Sequence, residues 1–571
     1  MIHKHNRKNI IFSIICLLII IGVYLTIFPS IGLPYILSDE FGYWANAEFL
    51  SGNKVWAAIM SKIPYYSWGY SIVLYLCITL SAFVNRYMLA IALNLLFIVI
   101  GWFCLCRIGK TIVPDYSEIH VNICSTAICL YASNIAYFQT TLVEIFLWFV
   151  YILSAYFLLL FIETNKTRYY IAFGICAGYM SCIHMRAIGV TFSAVFTLII
   201  CFFCNKRKKV FSILISIFFI LMFLILLFEI KDYLMSNSYE LIEDASTNDF
   251  SGQSNKIKML ISLNGIRYFA KSFIGKITYL VISTAGLFLS TFVLICRKHL
   301  HFHKELLDKE IFYIYVFLST LLTISVSSLA QIQSVITNKR YDAFFYGRYN
   351  EFILAPFLLI GFMYLPSYIS KFKFFALDLV FFALCLYAGH QMSAIKNGYM
   401  YEVNIVGLSG LSYTNEKYIF EGWVYKVALL SFVLFTLYAL ANSYKKTLVS
   451  ILAIALIAAM WVYGGKTIVN NQTRYRERYN SYSDMSETIK INNVAVVHYI
   501  INDQITEFDL YMPEILQFMC DDTEFSYIEI EKYQTQPNDY VLIRKGRKLE
   551  QLFSPQDIIA SNGDFDLYLV K

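Results

Sequence analysis

Leu37-Ser38-Asp39-Glu40-Phe41-Gly42-Tyr43-Trp44-Ala45-Asn46-Ala47-Glu48 begins a few residues after an apolar run, Ile10 to Phe28. Lys4, Arg7 and Lys8 precede that run and Pro29 ends it. A run of this length crosses a bilayer as a helix that satisfies its own backbone hydrogen bonds. It is too long for a signal-peptide core, and no A-x-A-like cleavage site follows. The expectation is a retained first span. Two adjacent carboxylates beside a membrane face pay desolvation and mutual repulsion, so Asp39 and Glu40 make poor passive packing. The plainer reading is a solvated helix start, with Ser38 as N-cap and the acids in the first turn. The functional reading is a general base held at the membrane surface. Glu40 lies on a different helical face from Asp39, so the two need not share a role.

Composition extends the membrane reading to most of the chain. Of 571 residues, 58% are hydrophobic and 18% aromatic, and only 15% are charged, against about 25% in a soluble domain. A string of soluble domains, a disordered chain and a disulfide scaffold are all excluded. Further apolar runs are Met88 to Cys106, Val121 to Phe138, Ile145 to Phe161, Ile171 to Ile183, Ile188 to Cys204 and Val210 to Phe228. Then come Ile277 to Cys296, Ile311 to Ala330, Phe352 to Leu365, Phe374 to Ala388, Val427 to Ala441 and Leu448 to Tyr463. That gives about 13 spans.

Cations mark the cytoplasmic loops: Arg107 and Lys110; Lys166 and Arg168; Lys206 to Lys209; Arg297, Lys298 and Lys304; Lys371 and Lys373; Lys445 and Lys446. With the N-terminus inside, each set follows an even-numbered span. The net charge of +7 therefore reports membrane topology, and no nucleic-acid partner is expected. The loop carrying Asp39, the turns at Glu144, His184 and Arg348, and the C-terminal tail fall outside. Ser67 to Val84 is apolar too, but a span there would invert every later loop. It is placed as an interfacial helix in a first outer loop, residues 30–87.

The transmembrane part covers 1–465 and a soluble extracytoplasmic α/β domain covers 466–571. In that tail Val494 to Ile501, Phe525 to Ile530, Tyr540 to Ile543 and Phe565 to Val570 read as strands, and Pro513 to Met519 as a short helix. Long outer loops are expected from Glu229 to about Gly275 and from His390 to Lys426. Cys520 is alone in the tail, and the other cysteines sit on apolar segments as packing residues. His299, His301 and His303 read as a solvated cationic turn.

The sequence resembles the GT-C superfamily of glycosyltransferases, polytopic enzymes that use polyprenyl-phosphate sugars and include the protein O-mannosyltransferases and the bacterial aminoarabinose transferases. The resemblance rests on a short cytoplasmic N-terminus, one span, and an outer loop opening D-E-x-x-Y-x-x-A at Asp39 to Ala47. Arg86 followed by Asn94, Glu144 in Thr140-Thr141-Leu142-Val143-Glu144, the Gly174 to Gly189 stretch with His184 and Arg186, and Tyr346-Gly347-Arg348-Tyr349 with Pro356 follow in order. The match covers roughly the first 360 residues. The family's H-P-P segment is missing, with Ile63-Pro64-Tyr65-Tyr66 near its place.

The resemblance implies a polytopic α-helical GT-C-like fold and transfer, with inversion, of a sugar from a polyprenyl-phosphate donor to an extracytoplasmic acceptor: an envelope glycan, a lipid or a protein. Asp39, with Glu40 beside it, would supply the base. Arg186 and Arg348, and then Arg86 and Lys276, would hold the donor phosphate, since a guanidinium grips phosphate oxygens best where water is scarce. The plainer reading of Arg186 is a snorkelling interfacial cation. Glu144 and His184 would contact the acceptor or a metal, and a divalent metal is left open as cofactor. A hydrogen-bonded structural histidine is the alternative for His184. The expected location is a bacterial plasma membrane, with membrane lipid as a further partner. Rival readings are a polysaccharide polymerase or ligase, a lipid-linked saccharide flippase or transporter, and a non-catalytic scaffold.

Overall fold

The structure, a computed structural model, describes the chain except residues 1, 36, 61–64, 82–83, 115, 205–209, 239–252, 299–307, 333–341, 369–370, 394–400, 409–420, 444–446, 502–512, 535 and 547. The three loop histidines, the Lys206 to Lys209 cluster and Ile63-Pro64 lie outside the described residues, as does much of the expected loop from His390 to Lys426.

The chain is an integral membrane protein built from helices. Among the described residues, seven are long and apolar enough to cross a bilayer, or up to nine if two bent pairs each count as one span. Glu351–Tyr364, Phe375–Gln391 and Val427–Ala441 are apolar but shorter. The helix Val210–Ser238 shows how the membrane sorts side chains. Phe211, Leu214, Phe218, Leu221 and Ile225 are exposed along one stripe, while Ile213, Ile220 and Leu227 are buried. A stripe at this spacing is one face of a 3.6-residue helix turned to lipid.

Three apolar runs differ from straight spans. Val121 to Phe138 is broken into Glu118–Cys129 and Ala132–Phe138, bent by 52°. Ile277 to Cys296 is broken more sharply, into Leu263–Ser283 and Leu287–Arg297 at 110°. There Ala285 and Gly286 adopt φ of +48° and +76°, a left-handed conformation no helix continues through. Ser67 to Val84 holds the helix Trp68–Thr79, 12 residues long, or roughly 18 Å at 1.5 Å per residue. That is too short for a hydrocarbon core of about 30 Å. The expected loop from Glu229 to Gly275 is largely helical where described: Val210–Ser238 runs into it, and Gln253–Met259 and Leu263–Ser283 follow. The twelve described cysteines are free and buried or half-buried.

The helix Thr447–Glu477 passes through residue 465 without interruption. The α/β domain follows it, through a helix over Ser483–Ile491 to five strands: β1 Val496–Ile501, β2 Glu524–Glu529, β3 Tyr540–Arg544, β4 Ile558–Ser561 and β5 Phe565–Leu569. Their order is β2-β1-β3-β5-β4. β1 pairs in parallel with β2 and β3, and β5 runs antiparallel to β3 and β4. A parallel β1–β2 pair needs a crossover, and the connection contains the helix Pro513–Met519. That helix packs on the helix Leu37–Leu50 of the first loop.

Candidate active site

Leu37–Leu50 carries Asp39 and Glu40 in its first turn. Glu40 is fully buried and works as an anchor. Its Oε1 accepts the Tyr35 amide at 2.7 Å. Its Oε2 accepts the Tyr87 hydroxyl at 2.8 Å, the Thr141 amide at 2.7 Å and the Thr141 hydroxyl at 2.8 Å. Trp44 Nε1 also donates to Thr141 Oγ1, at 2.9 Å. These bonds fix the turn before Glu144, the first residue of the helix Glu144–Thr164. Glu40, expected to join Asp39 in catalysis, thus has both oxygens committed to positioning, because burial of a carboxylate demands such compensation.

Asp39 faces elsewhere. Its Oδ1 accepts the Tyr66 hydroxyl at 2.6 Å and its Oδ2 accepts Arg348 Nη1 at 2.6 Å. Tyr66 reaches it across Gly42, where a Cβ would fall 2.1 Å from the ring. Arg348 Nε donates to Glu144 Oε1 at 2.7 Å, and Arg186 Nη2 donates to the same oxygen at 2.7 Å. Asp39, Arg348, Glu144 and Arg186 therefore form one continuous chain of alternating charge. Its two acids and two guanidiniums balance, as a buried network requires. Exposure falls along it: the side chain of Asp39 is 28% exposed, that of Arg348 7%, Glu144 5% and Arg186 1%.

The buried end of the chain is unsaturated. Among the described residues, Arg186 Nε and Nη1 and Glu144 Oε2 have no hydrogen-bond partner. The Arg186 guanidinium lies over the Tyr349 ring at 4.8 Å. His184 caps the turn ahead of it, its Nδ1 accepting the Arg186 amide at 3.3 Å. Lys276, fully buried, donates to Ser272 Oγ at 2.6 Å. One turn on, the Tyr279 ring fits against Gly347, where a Cβ would fall 2.1 Å from the ring. This contact brings the Lys276 helix alongside Arg348.

Arg86, expected at the donor phosphate, instead clamps the C-terminal domain. It pairs with Glu48 and Asp521 and donates to the Phe518 carbonyl at 2.8 Å, with its guanidinium 4.2 Å above the Phe518 ring. The phosphate expectation comes from the resemblance; Phe518 and Asp521 lie 432 and 435 positions from Arg86 in sequence. Burial pushes the Glu48 and Asp521 carboxyls up from their ordinary range, and the Arg86 charge opposes this. Among the described residues, no group of three or more His, Cys, Asp and Glu side chains could hold a metal. The positive charge beside Glu144 is supplied by the two guanidiniums.

Three participants had no sequence expectation: Tyr66, Glu514 and Arg476. Arg476 is buried and donates to the Leu33 carbonyl at 2.9 Å, to Gln139 Oε1 at 2.8 Å and to the Tyr87 hydroxyl at 2.8 Å. The one sequence signal was its place in a cluster of charges at the start of the polar tail.

No family model matches this sequence, and no curated protein matches it. Its structure is similar to that of ArnT from Cupriavidus metallidurans bound to undecaprenyl phosphate, with a TM-score of 0.52 and 10% identity over 97% of each chain. It is similar also to the apo state of the same protein, with a TM-score of 0.50 and 10% identity, again over 97% of each chain. At that identity the likeness speaks for the fold, and the chain has the GT-C fold.

Proposed function

We propose that the protein is a membrane glycosyltransferase that moves a sugar from a polyprenyl-phosphate donor to an acceptor hydroxyl on the extracytoplasmic side. The observation that carries this reading is the Asp39–Arg348–Glu144–Arg186 chain. It joins a partly exposed carboxylate to a buried guanidinium with two donors that have no partner among the described residues. A general base needs access to its proton source, and a phosphate leaving group needs preorganised positive charge away from water.

Asp39 has a lone pair left on each oxygen after Tyr66 and Arg348 are served. One of these takes the acceptor proton. The acceptor oxygen bonds to the anomeric carbon while the bond from that carbon to the phosphate oxygen breaks. The electron pair goes to the phosphate, which leaves as polyprenyl phosphate. A single displacement of this kind inverts the anomeric centre. Arg186 Nε and Nη1 receive the departing charge, with Lys276 as a second cation. Arg348 spans the two halves and fixes their separation, and Glu144 keeps both guanidiniums in place.

The test is sugar release from an undecaprenyl-phosphate-linked donor by the purified protein. Asp39→Asn should lower turnover by about 10²-fold or more, the usual contribution of a positioned base, while leaving donor binding intact. Full turnover in a folded Asp39→Asn protein removes the base. Product size separates single-sugar transfer from polymerisation.

A further inference from the structure

Glu514 sits at the second position of the helix Pro513–Met519, the segment of the C-terminal domain that packs on the Asp39 helix. It is fully buried, and among the described residues neither of its carboxyl oxygens has a hydrogen-bond partner. Every other acid at this corner is compensated: Asp39 by Tyr66 and Arg348, Glu40 by four donors, Glu48 by Arg86. Burial lifts the Glu514 carboxyl well above its ordinary range, and the neighbouring Asp39 charge lifts it further. A buried carboxyl without partners destabilises the fold that holds it, so its natural complement is a ligand.

The form such a group takes narrows the ligand. Buried beside a second acid and without a hydrogen-bonding cation among the described residues, a carboxyl keeps its proton. It then offers one O–H donor and acceptor lone pairs, which match the dual character of a sugar hydroxyl. We propose that Glu514 is a substrate-binding residue whose carboxyl hydrogen-bonds a hydroxyl of the saccharide seated against Asp39, so that the C-terminal domain completes the sugar subsite. This rests on the transfer reading above. It assigns the buried phosphate end to the membrane helices and recognition of the sugar in part to the α/β domain.

The experiment measures binding of two lipids to the full-length protein in detergent micelles: undecaprenyl phosphate, and undecaprenyl phosphate carrying a neutral hexose. Glu514→Leu should melt no lower than wild type, since it removes an uncompensated polar group. It should weaken binding of the hexose-bearing lipid by about tenfold, somewhat beyond a typical neutral hydrogen bond because the sugar hydroxyl is left unpaired, and leave the bare lipid unchanged. Glu514→Gln keeps a donor and an acceptor and should stay within about twofold of wild type. The inference is overturned if Glu514→Leu weakens both lipids equally or neither, or if Glu514→Gln loses as much as Glu514→Leu. It is also overturned if wild type binds the hexose-bearing lipid no more tightly than the bare one. Arg186→Ala provides the separate control: unchanged affinity for bare undecaprenyl phosphate in that variant defeats the proposed phosphate end, whatever Glu514 does.

Discussion

Glu144→Gln strikes the middle of the charged chain. Its Oε1 takes two guanidinium bonds, both 2.7 Å long, and the acid and both arginines are buried. Charge-assisted hydrogen bonds contribute about 1.5–3 kcal/mol each, and breaking a buried ion pair from one side costs about 3–5 kcal/mol. Glutamine keeps an acceptor but removes the charge, leaving Arg186 and Arg348 against Asp39 alone. A loss of roughly 3 kcal/mol is therefore expected, at the low end of that range. Arg186→Met in the same background restores the balance, since Arg348 then faces Asp39 one to one. The double variant should consequently be more stable than the sum of the single losses by about 1–3 kcal/mol, the coupling of groups in one network. Unfolding free energies from sodium dodecyl sulfate titration in mixed micelles measure all four corners of the cycle. Additivity within about 0.5 kcal/mol would show that Glu144 and Arg186 act independently, and the chain described above would not exist as a unit.

Gly42→Ala would drive a methyl into the Tyr66 ring. It should cost about 1–3 kcal/mol, as overpacking does, and lower turnover in the sugar-release assay, as Tyr66→Phe should by removing the hydroxyl that donates to Asp39. Arg86→Ala strands the buried Glu48 and should loosen the C-terminal domain by about 3 kcal/mol, the half-exposed Asp521 adding little. Limited proteolysis between residues 477 and 496 should accelerate accordingly. The raised Glu514 carboxyl sets a sign for pH. Above the ordinary value of 4.5 the unfolded glutamate releases its proton while the buried one keeps it. Wild-type stability should fall with rising pH by up to about 1.4 kcal/mol per unit from this group, and melting curves of Glu514→Leu should lack that component.

The helices were legible because a bilayer imposes length and apolarity on every span, and each apolar run does fall on a helix or a bent pair. The bend at Ala285-Gly286 escaped, since averaging hydropathy over a window takes no account of two left-handed residues. β4, four residues long and at the sheet edge, carries too little alternation to read. At the candidate site, the acids and arginines stood out as ionisable residues at the ends of apolar runs. What each one binds did not. Arg86 meets Asp521, 435 positions away, and Glu40 meets Thr141, 101 positions away, and no local pattern encodes such pairs. Glu514 looked like an ordinary acid at the start of a helix, where the dipole favours it. Only its burial separates it from that.

Arg476 binds Leu33, Gln139 and Tyr87 together, around the Glu40 anchor. It is made more than three hundred residues after any of them, so during synthesis the corner waits for its keystone while ribosomes elongate the remaining chain. A nascent polypeptide stalled before this arginine would thread the bilayer yet leave Tyr87 and Gln139 unlatched. The corner therefore cannot be latched until Arg476 itself has been made, long after the helices it joins.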